Sequence, residues 1–435
     1  MDNRSGLIRI IALATFIFSP PLAAKPLTAQ EKLIAEHITQ QASNQLSLLE
    51  KIANINSDTA NVAGVRQVGS VLRPEFEQLG FKVRWVEEPA EMKRAPTLVA
   101  ERKGNSGKRV LLIGHLDTVF SKDSPFQTFT RVGDKARGPG VIDDKGGDVI
   151  ILYALKALAA AHVLDNTTIT VVLTGDEEDS GKPAAISRKP LFEAARQSDI
   201  ALDFECAITA DTATIARRGI SQWTVKTTGN ETHSSEIFRK VSGYGANFEL
   251  ARILNTMVSR LASEKYLSFN PGLILGGTIV GYDKQLSSGK AFGKENVIAK
   301  TALAKGDLRY LTPVQRDHAK AAMKQIVKTN LPGTTAEISF EDGIPSMPPT
   351  AENIRLLEVY SQASDDLGYG KVKALDPGIR GAGDISYIAG IVKANLVGLG
   401  ALGNGAHSTD ETLDIKSLPI QTQRAALLIY RLTHS

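Results

Sequence analysis

Apolar runs that end abruptly in acids or histidine limit what this chain can fold into. Residues 109–114 read RVLLIG and lead into His115 and Asp117, residues 168–174 read TITVVLT and lead into Asp176, Glu177 and Glu178, and residues 200–204 read IALDF and lead into Glu205. A fourth run, ANLVGL at 394–399, precedes a loop that carries His407. Strands buried on both faces read as continuous apolar runs, and open α/β sheets gather their polar chemistry beyond the carboxyl ends of such strands. The four runs predict one sheet edge at which acids and imidazoles from distant sequence meet.

A chain of 435 residues is too long for one ordinary core, so two domains are expected. Helical apolar spacing over 29–55 and 65–79, strand-like FKVRWVEE and TLVAER, and a long apolar helix over 147–164 accompany the sheet runs. This alternation predicts an α/β fold with a mixed, largely parallel sheet covered by helices. From 219 the texture changes to alternating strands, SQWTVKTTG, ALAKGDLRYL and TAEISFED, interleaved with helices over 247–261 and 316–329. Strand, helix, strand, strand, helix, strand is the ferredoxin-like split βαβ pattern. The expected layout is therefore a first domain over 25–218, an inserted small α/β domain over 219–341, and completion of the first domain by 342–435.

The 51 Lys plus Arg against 47 Asp plus Glu leave only +4, with no long basic run, so nucleic-acid binding gains no support. Residues 1–24 differ from the rest. Arg4 and Arg9 flank the start of an apolar stretch to Phe18, followed by Pro20, Pro21 and the small residues Ala23 and Ala24. This order reads as a secretory signal peptide, with an uncleaved anchor as the rival, and it predicts a secreted or periplasmic protein with no stable membrane span after cleavage. The single cysteine, Cys206, excludes an internal disulfide and reads as a buried packing residue.

The candidate chemistry comes in pieces, each with a plainer alternative. His115 and Asp117 are two apart beyond a strand, where the carboxylate can hold one ring nitrogen while the other binds metal, although a hydrogen-bonded loop histidine looks the same in sequence. Asp143 and Asp144 close the loop GPGVIDDKGG at a helix start, where they serve either as a cap or, helped by the glycines, as a bridge between two cations. Asp176-Glu177-Glu178 is costly without a compensating cation or proton unless it is a solvated turn. One glutamate there can coordinate while its neighbour acts as general base. Two histidines with three carboxylates suit two zinc ions sharing one aspartate, with cobalt or manganese as alternatives.

Together GHLDTV, GPGVIDDKGG, TGDEED and HSTDET resemble the M20 family of zinc metallopeptidases, and most of all its glutamate carboxypeptidase-type members. The resemblance runs from His115 to Glu411. It implies that His115, Asp143, Glu178, Glu205 and His407 are the metal ligands with Asp143 bridging, that Asp117 orients His115, and that Glu177 is the base. Asp203 is the neighbouring alternative to Glu205. The inserted domain would be a lid that also makes a homodimer, with His233 reaching the partner's active site to steady the oxyanion. Asn296, Arg309 and the glycine-rich segment with Gly381, Gly383 and Asp384 would contact substrate. Ser234-Ser235-Glu236 after His233, Ile344 in place of an arginine, and the missing threonine before Asp384 depart from the family pattern. They remove the basis for expecting glutamate selectivity and leave the metal centre intact.

The implied activity is a secreted two-zinc exopeptidase that releases a carboxyl-terminal amino acid from dipeptides, short peptides or N-acyl amino acids. A biosynthetic N-acyl-amino-acid deacylase is the runner-up, although a leader argues against a cytoplasmic pathway. A non-catalytic peptide-binding homologue should have lost the base or a ligand, and none is missing.

Overall fold

The apolar runs become neighbours in a single sheet. The computed structural model describes residues 25–284 and 286–434, and the leader-like segment lies outside them. In chain order the strands are β1 (Lys82–Val86), β2 (Thr97–Arg102), β3 (Ser106–His115), β4 (Thr167–Thr174) and β5 (Ile200–Asp203), joined late in the chain by Ala394–Val397. Their order across the sheet is β1, β2, β4, β3, β5, then Ala394–Val397. The strands β4, β3, β5 and Ala394–Val397 are mutually parallel, while β2 runs antiparallel to both β1 and β4.

Strand periodicity explains the apolar runs. On β3, Val110 and Leu112 belong to one buried cluster and Leu111 and Ile113 to another on the opposite face. The first cluster is closed by α1 (Ala29–Gln40), α2 (Ala42–Ala53), α3 (Val62–Gln78), α4 (Lys145–Ala160) and the terminal helix Ser417–Thr433. The second is closed by Leu191, Ala194, Ile385 and Ile388. The segment expected as one helix over 29–55 is two helices broken at Gln41. No glycine or proline marks the break. Buried Gln45 holds it instead, donating to the Ile38 carbonyl at 3.2 Å and accepting from Thr422 of the terminal helix at 2.8 Å.

The second sheet has its own core. Strands β6 (Gly219–Gly229), β7 (Ser268–Gly277), β8 (Thr301–Tyr310) and β9 (Thr334–Asp342) run in the order β7, β8, β6, β9, all antiparallel, with α5 (Gly245–Leu261) and α6 (Pro313–Val327) packed on one face. Trp223, Val225, Leu250, Ile253, Met257, Ala304 and Met323 form that core. This is the split βαβ arrangement, and α6 begins at Pro313, earlier than its apolar spacing suggests, because Thr312 caps it and proline suits its first position.

Two chain crossings join the domains, and they lie side by side. Arg217 and Met347 exchange backbone hydrogen bonds at 2.8 and 3.0 Å, and Ile220 does the same with Ile344 and Gly343 at 2.9 and 3.0 Å. Among the described residues no helix is long and apolar enough to cross a membrane.

Leu112 is fully buried three residues before His115. Leu112→Ala is expected to lower unfolding stability by about 2–5 kcal/mol, read as a drop in denaturant midpoint at unchanged slope.

Candidate metal centre and active site

Parallel register brings the site together. β3 pairs His115 with Thr174 of β4 and Ile113 with Asp203 of β5, so three loops leave the sheet at nearly the same level. Asp117 lies at their meeting point and is fully buried. Its Oδ1 accepts from the Glu177 amide at 3.0 Å, while its Oδ2 accepts from the Glu178 amide at 3.1 Å and from Thr59 Oγ1 at 2.6 Å. Its carboxylate also lies 3.3 Å from His115 Nδ1. Burial alone would push the Asp117 carboxyl up, but these partners hold it below the usual range. With an Nδ1 proton directed at Asp117, His115 Nε2, 3.1 Å from Asp143 Oδ1, is the ring nitrogen left for a metal.

Asp143 is shared. Its Oδ1 meets His115, and its Oδ2 lies 3.1 Å from His407 Nε2, which is also 3.1 Å from Glu178 Oε2. These two carboxylates push the His407 imidazole up to about 11. Donor atoms of His115, Asp143 and Glu178 lie within 4.8 Å of one another, and so do those of Asp143, Glu205 and Cys206. Glu178 Oε1 is buried with no hydrogen-bond partner. Two donor groups with one carboxylate in common, and an orphaned carboxylate oxygen on Glu178, fit metal binding at this edge.

Glu205 occupies the second group, and Asp203 does not. Asp203 turns toward the chain, where its Oδ1 accepts from the Glu205 amide at 3.4 Å. Each oxygen of Glu205 has a buried arginine beside it: Arg217 Nη1 at 3.0 Å from Oε1 and Arg380 Nη1 at 3.2 Å from Oε2. Cys206 is buried as expected, and burial pushes its thiol up to about 12. Asp144, the partner in the Asp-Asp pair, makes no cap bond to α4 and stays out of both donor groups. Glu177 is half-buried beside them. Burial, with Glu205 and Asp384 nearby, pushes its carboxyl well above the ordinary range.

The lid candidates divide into two places. Arg309 points its guanidinium toward the glycine-rich segment, since a Cβ on Gly381 would stand 3.9 Å from Arg309 Nη1. It also pairs with Asp307 at 2.8 Å. His233 and Asn296 are neighbours elsewhere on the lid: the Ser234 amide donates to the Asn296 carbonyl at 2.9 Å, and His233 bridges to Val297. His233 Nδ1 lies 2.8 Å from Ser235 Oγ, and among the described residues no hydrogen bond or ion pair joins His233 to the donor cluster.

Gly383 explains the missing threonine. A Cβ there would meet Arg217 Nη1 at 2.4 Å, so the buried guanidinium takes the room that a side chain would need. The same arginine donates to the Gly381 carbonyl at 2.7 Å and the Ala382 carbonyl at 2.8 Å.

Sequence reasoning passed over several site residues. Glu411 accepts from the amides of Gly140, Ile142 and Asp143 at 3.0, 2.8 and 3.1 Å, which fixes the loop that carries the shared aspartate. Its place in HSTDET was the available signal. Thr59, Arg188, Arg217 and Arg380 gave none, because isolated arginines and threonines carry no spacing.

With this geometry in view, comparison with known proteins is consistent at each level. The model of peptidase family M20/M25/M40 matches residues 111–431, and the chain belongs to that family. It is a metallopeptidase. Carboxypeptidase G2 of Pseudomonas sp. (strain RS-16) is 28% identical over 98% of this chain and 97% of its own. A succinyl-diaminopimelate desuccinylase of Orientia tsutsugamushi (strain Ikeda) is 25% identical over 70% of this chain and 75% of its own. In structure the chain is similar to aminopeptidase PepT of Bacillus cereus, with a TM-score of 0.71 at 16% identity, covering 90% of this chain and 98% of that one.

Because Asp143 serves both donor groups, Asp143→Asn is expected to lower metal uptake more than Glu178→Gln or Glu205→Gln alone. Elemental analysis of the purified proteins after dialysis reads the difference.

Proposed function

We propose that the protein is an exported, two-zinc exopeptidase that hydrolyses the amide bond to a carboxyl-terminal amino acid in dipeptides, short peptides or N-acyl amino acids. The observation that carries this reading is Asp143, which two donor groups share, with Glu177 half-buried next to the ligand candidate Glu178. His115, Asp143, Glu178, Glu205 and His407 would hold the ions. Bound there, the ions would supply Lewis acidity for the scissile carbonyl and lower the pKa of the attacking water. Glu177 takes the proton from that water and passes it to the leaving amine. Its half-buried carboxyl stands next to the candidate ligand Glu178, in reach of both halves of that transfer. Arg309, opposite Gly381, would receive the substrate's terminal carboxylate.

Support for this substrate class over the deacylase alternative is the near full-length similarity to carboxypeptidase G2, against partial coverage of the desuccinylase. The test is a panel of dipeptides and N-acyl amino acids assayed with zinc-loaded protein. Turnover confined to succinyl or acetyl diamino acids would favour the deacylase. Glu177→Gln should reduce turnover by about two to four orders of magnitude at unchanged metal content.

Export rests on residues 1–24, with their basic start, apolar stretch and small residues near 24. Fractionation should recover periplasmic protein beginning near Lys25. Full-length protein found only in the cytosol contradicts it.

A homodimer through the lid is supported by the outermost place of β7 in its sheet and by exposed apolar side chains, Ile274 on that strand and Val258 on α5. A groove of about 260 Å³ lined by Leu250, Leu254 and Leu275 continues the same face. His233, exposed and unattached to its own donor cluster, would then stabilise the oxyanion in the partner's site, a role that can contribute roughly 3 kcal/mol. Co-expressing Glu177→Gln with His233→Ala should restore activity in verified mixed dimers, because one site then has both groups intact. No recovery places His233 in its own subunit's site or outside catalysis.

A further inference from the structure

Between the base-bearing loop and the glycine-rich segment lies one buried guanidinium that the proposed chemistry does not use. Arg188 is fully buried. Its Nη1 donates to Asp176 Oδ1 at 2.6 Å, its Nη2 to the Asp176 carbonyl at 2.9 Å and to Ser180 Oγ at 2.7 Å, and its Nε to Asp384 Oδ1 at 2.5 Å. Asp384 also accepts from Thr174 Oγ1, the last residue of β4, at 2.7 Å. Asp176 receives the Gly181 amide at 2.7 Å.

An ion cluster that served only to neutralise buried acids would need no backbone partner. Here the backbone contact is the informative one. The peptide between Asp176 and Glu177 is held at both polar ends, its carbonyl by Arg188 and its N–H by Asp117. That fixes the plane from which the Glu177 side chain departs. The other arm of the same planar fork holds Asp384, which directly follows Gly383. On its far side the glycine-rich segment is held by Arg217, which also reaches Glu205. The segment expected to meet substrate is thus tied to the base on one side and to a metal-ligand candidate on the other.

We propose that Arg188 is a positioning residue that sets the base Glu177 in register with the glycine-rich substrate segment Gly381–Asp384. The inference rests on the role of Glu177 in the proposed reaction. A lysine can keep the charge but cannot satisfy Asp176, its carbonyl, Ser180 and Asp384 from one planar fork. Misplacing a catalytic group by about 1 Å can cost roughly a hundredfold in rate.

The experiment compares wild type with Arg188→Lys and Ser180→Ala by steady-state kinetics, metal analysis and amide hydrogen exchange. Arg188→Lys is expected to lower kcat by about a hundredfold, with KM within about threefold and metal content unchanged. Exchange should speed up together at 177–181 and 383–386 while the lid strands keep their protection. Ser180→Ala removes one arm of the fork together with the Ser180 Oγ donation to the Glu177 carbonyl at 3.3 Å, and leaves Asp176 and Asp384 paired with Arg188, so it keeps the test open if Arg188→Lys fails to fold. It is expected to lower kcat by several-fold at constant KM. Wild-type kcat in both variants, or loss of kcat matched by loss of folded protein and by faster exchange throughout the core, overturns the proposal. Exchange reads the coupling without any substrate. Failure of the peptidase reading, seen as no turnover by wild type on the whole panel, is therefore distinguishable from failure of this inference.

Discussion

Everything at the sheet edge depends on the compensation of buried negative charge. Asp117, Asp176, Asp203 and Glu205 at the strand ends, and Asp143, Asp144, Asp148 and Asp384 from elsewhere in the chain, are all buried. Such a set repels itself and resists ionisation unless positive charge or donated hydrogen bonds accompany it. The chain supplies three kinds of compensation. Backbone amides converge on Asp117 and Glu411. Buried guanidiniums, Arg188, Arg217 and Arg380, take Asp176, Asp384 and Glu205. The orphaned Glu178 oxygen and the shared Asp143 are left for cations.

The division of labour explains why two adjacent glutamates can have different tasks. Glu177 and Glu178 give their amides to the two oxygens of one carboxylate, so a single residue sets both backbones. Their side chains then part. Glu178 meets His407, while Glu177 stands beside Glu205 and Asp384. Asp117 thus touches the imidazole, the candidate ligand and the candidate base at once.

Much of this was legible in the sequence, and the reason is periodicity. Apolar runs announce doubly buried strands, and parallel strands announce which of their ends meet, so the loops carrying His115, Glu178, Glu205 and His407 could be brought to one edge without coordinates, whereas Asp143 and the choice of ligands among these residues came from the family resemblance. The alternating strands after 219 announced the second sheet equally well. What stayed hidden is what periodicity does not encode. Gln41 lies between two helices because a buried glutamine further along satisfies the Ile38 carbonyl. Arg188 and Arg217 act through partners up to 196 positions away. The glycine at 383 read as a departure from pattern until Arg217 was seen in the space beside it.

The paired crossings between the two sheets have a mechanical meaning. A single tether would let the smaller domain swing in any direction, whereas two strands bonded edge to edge behave like a leaf hinge, compliant in bending and stiff to sideways shear. Arg217 is part of that leaf, with its backbone bonded to Met347 and its side chain to Glu205 and the 381–382 carbonyls. Arg217 therefore ties the place where the two sheets join directly to a candidate metal ligand, so a load on the crossings would be carried to that carboxylate through one side chain.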